Sequence, residues 1–193
     1  MIELVEATTQ LLAGGTVSLS GEHFILADAE LNDALPVRSP VPLLVGGNGR
    51  RVLRFAGQCA DIVGITGLGR TLADGHRHEV DWSRGAVEAS VQTIGSSSDE
   101  RADGPEIEAL VQAVVVTDDA AASAQQLTEL IPGASVEDLF EAPFVWIGTA
   151  NEIAAKLQET EQALRISRYV IRPPAMADAR SIIEALTDHR SGG

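Results

Sequence analysis

Residues 43–66 constrain this chain more than any other stretch. Leu43-Leu44-Val45 is a short, wholly apolar run that stops abruptly at Gly46-Gly47-Asn48-Gly49. From Arg50 to Gln58 the apolar residues recur at helical spacing, which predicts a helix with Val52, Leu53, Phe55 and Ala56 facing inward. Residues 60–66, Ala-Asp-Ile-Val-Gly-Ile-Thr, form a second apolar run. Runs without polar alternation suit strands buried on both faces. The order is therefore strand, glycine loop, helix, strand, which is the repeating unit of a parallel sheet.

The rest of the chain extends that alternation. A helix is predicted over 2–13, with Ile2, Val5, Thr9 and Leu12 on one face, and Gly14-Gly15 ends it. Residues 16–20 and 23–26 flank Gly21-Glu22 as a short hairpin. Pro36, Pro40 and Pro42 then hold the chain extended, since proline disfavours helix in the residue before it. After a polar loop at 67–79, a weaker helix runs through Trp82, Ala86 and Ala89, and a long surface loop follows at 95–106. Residues 109–117 read as a third strand, and Asp118 or Asp119 caps the alanine-rich helix after it. Thr149 and Glu152 match a capping box opening a helix with Ile153, Leu157 and Leu164. Residues 166–171 are a fourth strand ended by Pro173-Pro174, and a final helix carries Ile182, Ile183 and Leu186. Two architectures fit four such units: a small doubly wound sheet, or half of a (β/α)8 barrel.

Composition narrows the function classes. With 14 basic and 28 acidic residues among 193, the net charge is −14. Nucleic acid and anionic membranes both select basic surfaces, so neither is an expected partner. No apolar run nears the ~20 residues that span a bilayer. Met1 to Glu6 has early acids and no basic region, unlike a signal peptide. One cysteine, Cys59, excludes an internal disulfide framework and suits a reducing cytoplasm. A full (β/α)8 barrel typically needs ~250 residues, so the chain is short for one.

The ordered phrases resemble the luciferase-like monooxygenase superfamily, especially its deazaflavin (F-420)-dependent oxidoreductases. They run Gly21-Glu22-His23-Phe24, then residues 35–53 (Leu-Pro-Val-Arg-Ser-Pro-Val-Pro-Leu-Leu-Val-Gly-Gly-Asn-Gly-Arg-Arg-Val-Leu), then 55–64 from Phe55 through Ala60-Asp61-Ile62. Residues 114–119, 148–153 and 168–171 continue the likeness over nearly the whole chain. The resemblance implies an α/β fold: a partial TIM (β/α)8 barrel, its C-terminal half, with about four parallel strands, flanking helices and a short N-terminal hairpin. Residues 1–193 are read as one domain, with 1–40 as helix, hairpin and extended lead-in. Residues 41–193 are βα units resembling barrel strands five to eight. The family's first four strands, which hold much of the isoalloxazine pocket and most catalytic groups, have no counterpart. The implied activity is a flavin- or deazaflavin-dependent oxidoreductase, incomplete in this chain. It would catalyse hydride transfer or monooxygenation on a small organic substrate in the cytoplasm, with coenzyme F-420 ahead of FMN and no metal. The rival expectation is a non-catalytic half-barrel remnant or interaction domain whose open edges pair in a homodimer.

The candidate cofactor-binding residues are Gly46, Gly47, Asn48, Gly49, Arg50, Thr66 and Arg172. The glycine loop ends a strand and opens a helix, so backbone N–H groups and the helix dipole can meet an anion, with Arg50 and Arg51 adding charge. The same pattern suits a tight turn with no ligand; the resemblance implies contact with the cofactor phosphate. Thr66, beside Gly67 and Gly69, either touches that phosphate or caps the next turn. Arg172 follows the fourth strand and either holds an anionic tail or is a surface arginine. Catalytic acids and bases are not identifiable. Asp74, His76, His78 and Glu79 have ligand chemistry but not helical metal spacing, and read as a solvated loop. His23 and His189 lack a visible partner, Cys59 reads as a small buried hydrophobe, Asp61 as a backbone-bonding residue, and Trp82 and Trp146 as packing. Lys156 is the only lysine, against thirteen arginines.

Overall fold

The computed structural model describes residues 1–31, 40–98, 101 and 104–191, with Pro174 and residues 188–191 described by backbone alone. Pro36, the 35–39 part of the proline phrase, Asp99, Glu100, Ala102, Asp103 and the His189 side chain lie outside the described residues. The chain divides into two compact units, Met1–Leu43 and Leu44–Gly193.

The first unit holds helix α1 (Ile2–Leu12) and the antiparallel strands β1 (Val17–Ser20) and β2 (Ile25–Ala29). The hairpin is the predicted one, extended past Leu26. Glu3 organises its turn. One carboxylate oxygen accepts the Glu22 N–H at 2.8 Å, and the other accepts those of His23 and Phe24 at 3.1 Å each. Those donors, Glu22 and His23 foremost, hold the Glu3 carboxyl below its usual range. A Cβ on Gly21 would lie 2.3 Å from a Glu3 oxygen, so a larger residue there would make the Glu3 carboxylate shift. The predicted apolar face of α1 differs: Ala7 is its buried residue, while Ile2 and Leu4 are exposed.

The second unit begins with β3 (Leu44–Gly46), α2 (Arg50–Cys59), β4 (Ile62–Ile65), β5 (Leu68–Thr71) and β6 (His78–Val80). It continues with α3 (Arg84–Ser97), β7 (Glu106–Leu110), β8 (Ala113–Val116), α4 (Ala120–Leu130) and α5 (Val136–Glu141). Then come β9 (Val145–Gly148), α6 (Ala150–Leu164), β10 (Ile166–Val170), a 3-10 turn over Pro173–Ala175 and α7 (Met176–Ser191). The main sheet is parallel, in the order β10-β7-β4-β3, with Gly46, Gly64, Glu108 and Arg168 in one row. Each strand adds on the same side as the chain advances. A doubly wound sheet reverses its order at a switch point, and this one does not. With right-handed crossovers, monotonic order sends the connecting helices to one face, as in a barrel wall.

That face is the core. Val45, Val63, Ile65, Ile107 and Ala109 are buried on the sheet, as are Leu53 and Ala56 of α2 and Val87 and Ile94 of α3. The other face carries Leu44, 48% exposed, and Arg168, paired with Glu106 at 3.0 Å and Glu108 at 3.4 Å. Burial on both faces is thus corrected for β3. It alternates exposed, buried, exposed, because Val45 lies on the face that packs on the helices and Leu44 and Gly46 lie on the other.

Three further expectations change. Residues 109–117 do not form one strand. β7 ends at Leu110, Val111 donates its N–H to the Val170 carbonyl at 2.9 Å, and Gln112 donates to that of Phe144 at 2.7 Å. The chain thereby leaves the main sheet, and β8 pairs in parallel with β9. Residues 67–79 contain the β5–β6 hairpin, closed at its turn by Asp74, which accepts the N–H groups of His76 and Arg77. Finally, α5 and the fully buried β9 carry no signal strong enough to mark them beforehand. The predicted caps form: Asp119, rather than Asp118, accepts the Ala122 N–H, and the Thr149–Glu152 box is reciprocal. Below β8 and β9, Ile153 and Leu157 of α6 pack with Val111, Trp146 and Ile182 in one cluster.

Candidate functional site

In a parallel sheet all carboxyl ends lie along one edge, so the loops after β3 and β4 are neighbours there. Asn48 locks them together. Its Oδ1 accepts the N–H groups of Thr66 and Gly67, both at 2.9 Å. Its Nδ2 donates to Thr66 Oγ1 at 2.6 Å and to the Leu68 carbonyl at 2.9 Å. A side-chain amide has two donor hydrogens and two acceptor positions, and all four are engaged. The Asn48 side chain is a bolt between loops.

The two loops use glycine differently. Gly67 has φ +61°, and a Cβ on it would lie 2.4 Å from Trp82 Cδ1 and 2.7 Å from Phe144. Trp82 packs on Phe144 with ring centres 5.9 Å apart, and its Nε1 donates to the Thr66 carbonyl at 3.1 Å. In the first loop, Gly47 donates its N–H to the Gly64 carbonyl at 3.0 Å, and a Cβ there would lie 2.7 Å from a Val52 methyl. Gly49 is the N-cap of α2, with φ −72° and ψ 133°, angles open to any residue. Nothing lies within 4 Å of where its Cβ would be, and no side chain caps the helix. Among the described residues no side chain therefore accepts from the first-turn N–H groups of α2, where the positive end of the helix dipole lies.

Thr66 stands beside that opening. Its hydroxyl oxygen accepts from Asn48 Nδ2 and from the Leu68 N–H at 3.2 Å, which leaves its own O–H to donate. A cavity of about 340 Å³ adjoins the bolt, between Asn48, Gly67, Leu68 and Phe144 on one side and Val87 and Ser90 of α3 on the other.

The structure brings Gly46, Gly47, Asn48, Gly49, Arg50 and Thr66 together. Arg50 is exposed and forms no ion pair among the described residues. Arg172 follows β10, on the same carboxyl edge but three strands from β3, roughly 14 Å at ordinary strand spacing. It donates to the Gln112 side chain. Gln112 was not marked by the sequence, and Asn48 was marked only as a cofactor-binding residue, since a lone amide in a loop carries no trace of its distant partners.

The remaining polar candidates have local employment. Cys59 Sγ–H points to the Phe55 carbonyl at 3.3 Å, and Asp61 lies 3.7 Å from Arg101. Asp74 is held low, mainly by the Arg77 N–H and side chain. Trp82 and Trp146 are both buried. Among the described residues no group of three or more His, Cys, Asp or Glu is placed to hold a metal ion. Nor is any described helix long and apolar enough to cross a membrane.

Comparison with known proteins gives this geometry a context. Residues 1–142 match the luciferase-like monooxygenase family. Among solved structures, the chain is similar to the coenzyme F420-dependent tetrahydromethanopterin reductase of Methanopyrus kandleri. The identity is 18% and the TM-score 0.64, over 90% of this chain and 57% of that one. It is similar to an F420-dependent secondary alcohol dehydrogenase solved with an F420–acetone adduct, at 15% identity and TM-score 0.60, over 87% and 53%. An EDTA monooxygenase from Chelativorans sp. BNC1 follows at 16% and 0.57, over 92% and 51%. No curated protein matches the chain. The chain spans about half the length of the solved structures it matches. A sheet that adds strands in one direction, as a barrel wall does, agrees with a family match covering most of the sequence: the chain belongs to the luciferase-like monooxygenase family.

Proposed function

We propose that this chain is the cofactor-phosphate half of a flavin- or deazaflavin-dependent oxidoreductase acting on a small organic substrate. The observation that carries the reading is Gly49. The fold asks nothing of a glycine there, yet its bare Cα opens the N-terminus of α2 to a ligand. An anionic phosphate fits that donor set. Gly46 and Gly47 shape the approach, the N–H groups of Asn48 and Gly49 with the first turn of α2 bind the anion, and Arg50 adds charge. Thr66 donates its O–H, and Arg172 serves a more distant anionic part of the cofactor. Against a net charge of −14, a phosphate has to be held by such local donors.

The bound flavin or deazaflavin supplies the hydride or oxygen chemistry, while the protein orients it. Coenzyme F-420 is favoured over FMN because two of the similar enzymes described above are F420-dependent. The single cysteine favours the cytoplasm. Titrating the chain with F-420 and FMN, followed by cofactor fluorescence, tests the reading. Saturable binding of either is expected. Binding of neither at millimolar concentration overturns it.

A second reading rests on the sheet edges. β3 and β10 each have one strand partner among the described residues, and Leu44 and Val170 are exposed on them. Two copies joined edge to edge would close an eight-stranded barrel. A monomeric mass in solution removes that reading.

A further inference from the structure

Lys156, the chain's only lysine, lies outside the site just described. It stands on α6, and its Nζ reaches the carbonyl of Val145, at the start of β9, at 2.8 Å and that of Leu139, in α5, at 3.4 Å. The amine therefore ties three elements together. The Lys156 side chain also lines a cavity of about 300 Å³ with Arg84 and Val87 of α3, Glu141 of α5, and Glu159 and Thr160 of α6. Arg84 is engaged by Glu88 at 2.8 Å, and the Thr160 hydroxyl donates to the Lys156 carbonyl at 2.8 Å, so neither is directed at the amine. Burial pushes the amine down to about 7, overriding Glu141, whose charge pulls it up. A neutral amine that donates two hydrogens to carbonyls keeps its lone pair free, which is the state of a nucleophilic lysine.

We propose that Lys156, whose side chain lines the cavity between α3, α5 and α6 and whose amine is fixed by two carbonyls, is an acylation site that takes a small acyl group from a neutral thioester. The Nζ lone pair forms an N–C bond with the thioester carbonyl carbon. The C–S bond breaks, and the thiolate leaves with the electron pair and takes up the proton shed by Nζ. The product amide has one N–H. It serves one carbonyl where the amine served two, so acylation loosens α5 or β9 from α6. The cavity admits a small acyl group, and Glu141 and Glu159 disfavour an anionic donor.

The test exposes the full chain at pH 7 to S-acetyl-N-acetylcysteamine, a neutral thioester, and in parallel to acetyl phosphate. Acetylation of the Lys156 peptide is followed by mass spectrometry, with the chain unfolded in concentrated urea as reference. Lys156→Arg keeps donors for both carbonyls and provides the blank. The expected result is native acetylation by the thioester on the order of tenfold faster than in the unfolded chain, levelling off above about pH 7, with acetyl phosphate slower. A native rate equal to or below the unfolded rate overturns the proposal and leaves Lys156 a shielded staple.

Discussion

The loops after β3 and β4 sit side by side, joined by one asparagine, and both are rich in glycine. Gly67 is demanded by the fold: its φ is positive, and Trp82 and Phe144 occupy the space a side chain would need. Gly49 is not demanded, since its angles are ordinary and its surroundings empty. A glycine that the backbone and packing both require explains itself. A glycine that neither requires, at a helix start with no side-chain cap, is an ordinary N-cap that also leaves room for a ligand. The contrast separates the structural loop from the candidate binding loop, although the two read alike as sequence.

The largest effect tests the structural side. Gly67→Ala puts a Cβ in the left-handed region and against two packed rings, and is expected to cost about 3 kcal/mol. Urea denaturation measures it, and a loss under about 1 kcal/mol would erase the distinction between the loops. Next is the bolt. Asn48→Ala removes four hydrogen bonds and leaves the Thr66 and Gly67 N–H groups without their acceptor, at an expected cost of about 2 kcal/mol. A near-neutral outcome would mean that the loops hold their places independently, and that Thr66 is not positioned by Asn48.

The same contrast explains what the sequence disclosed. Strands β3, β4 and β10 were legible because each has apolar residues that must meet the core, and helices α4 and α6 because Asp119 and Thr149–Glu152 write caps into the chain. The caps are local, so four residues suffice to read them. β9 was not legible: four buried residues directly before a capping box are too few to show a period. The division of 109–117 was hidden because the switch is made by backbone bonds from Val111 and Gln112 to carbonyls 59 and 32 residues away. The β5–β6 hairpin was hidden because its strands are mostly exposed and polar. At the site, the glycine loop announced itself, but the difference between Gly49 and Gly67 lies in Trp82 and Phe144, both distant from either glycine in sequence, and in the sign of the Gly67 φ, which the residue type leaves open.

The smallest effect on stability is the sharpest for function. Gly49→Asp supplies the missing side-chain cap and places a negative charge at the positive end of α2. Both changes favour the helix, by about 0.5 kcal/mol together, or about 1–2 °C in Tm. The same carboxylate occupies the opening proposed for the phosphate, takes up a first-turn N–H and repels an anion. At a few ångströms near a protein surface such repulsion is worth more than about 1 kcal/mol, so cofactor affinity should fall roughly tenfold or more. Stability and binding then move in opposite directions, which a merely damaged fold cannot produce. If Tm rises while the affinity for F-420 and FMN is unchanged, the phosphate is held elsewhere, and Gly49 is simply an uncapped helix start. If both fall, the space around Gly49 is already required by the fold, and the comparison between the two loops is wrong.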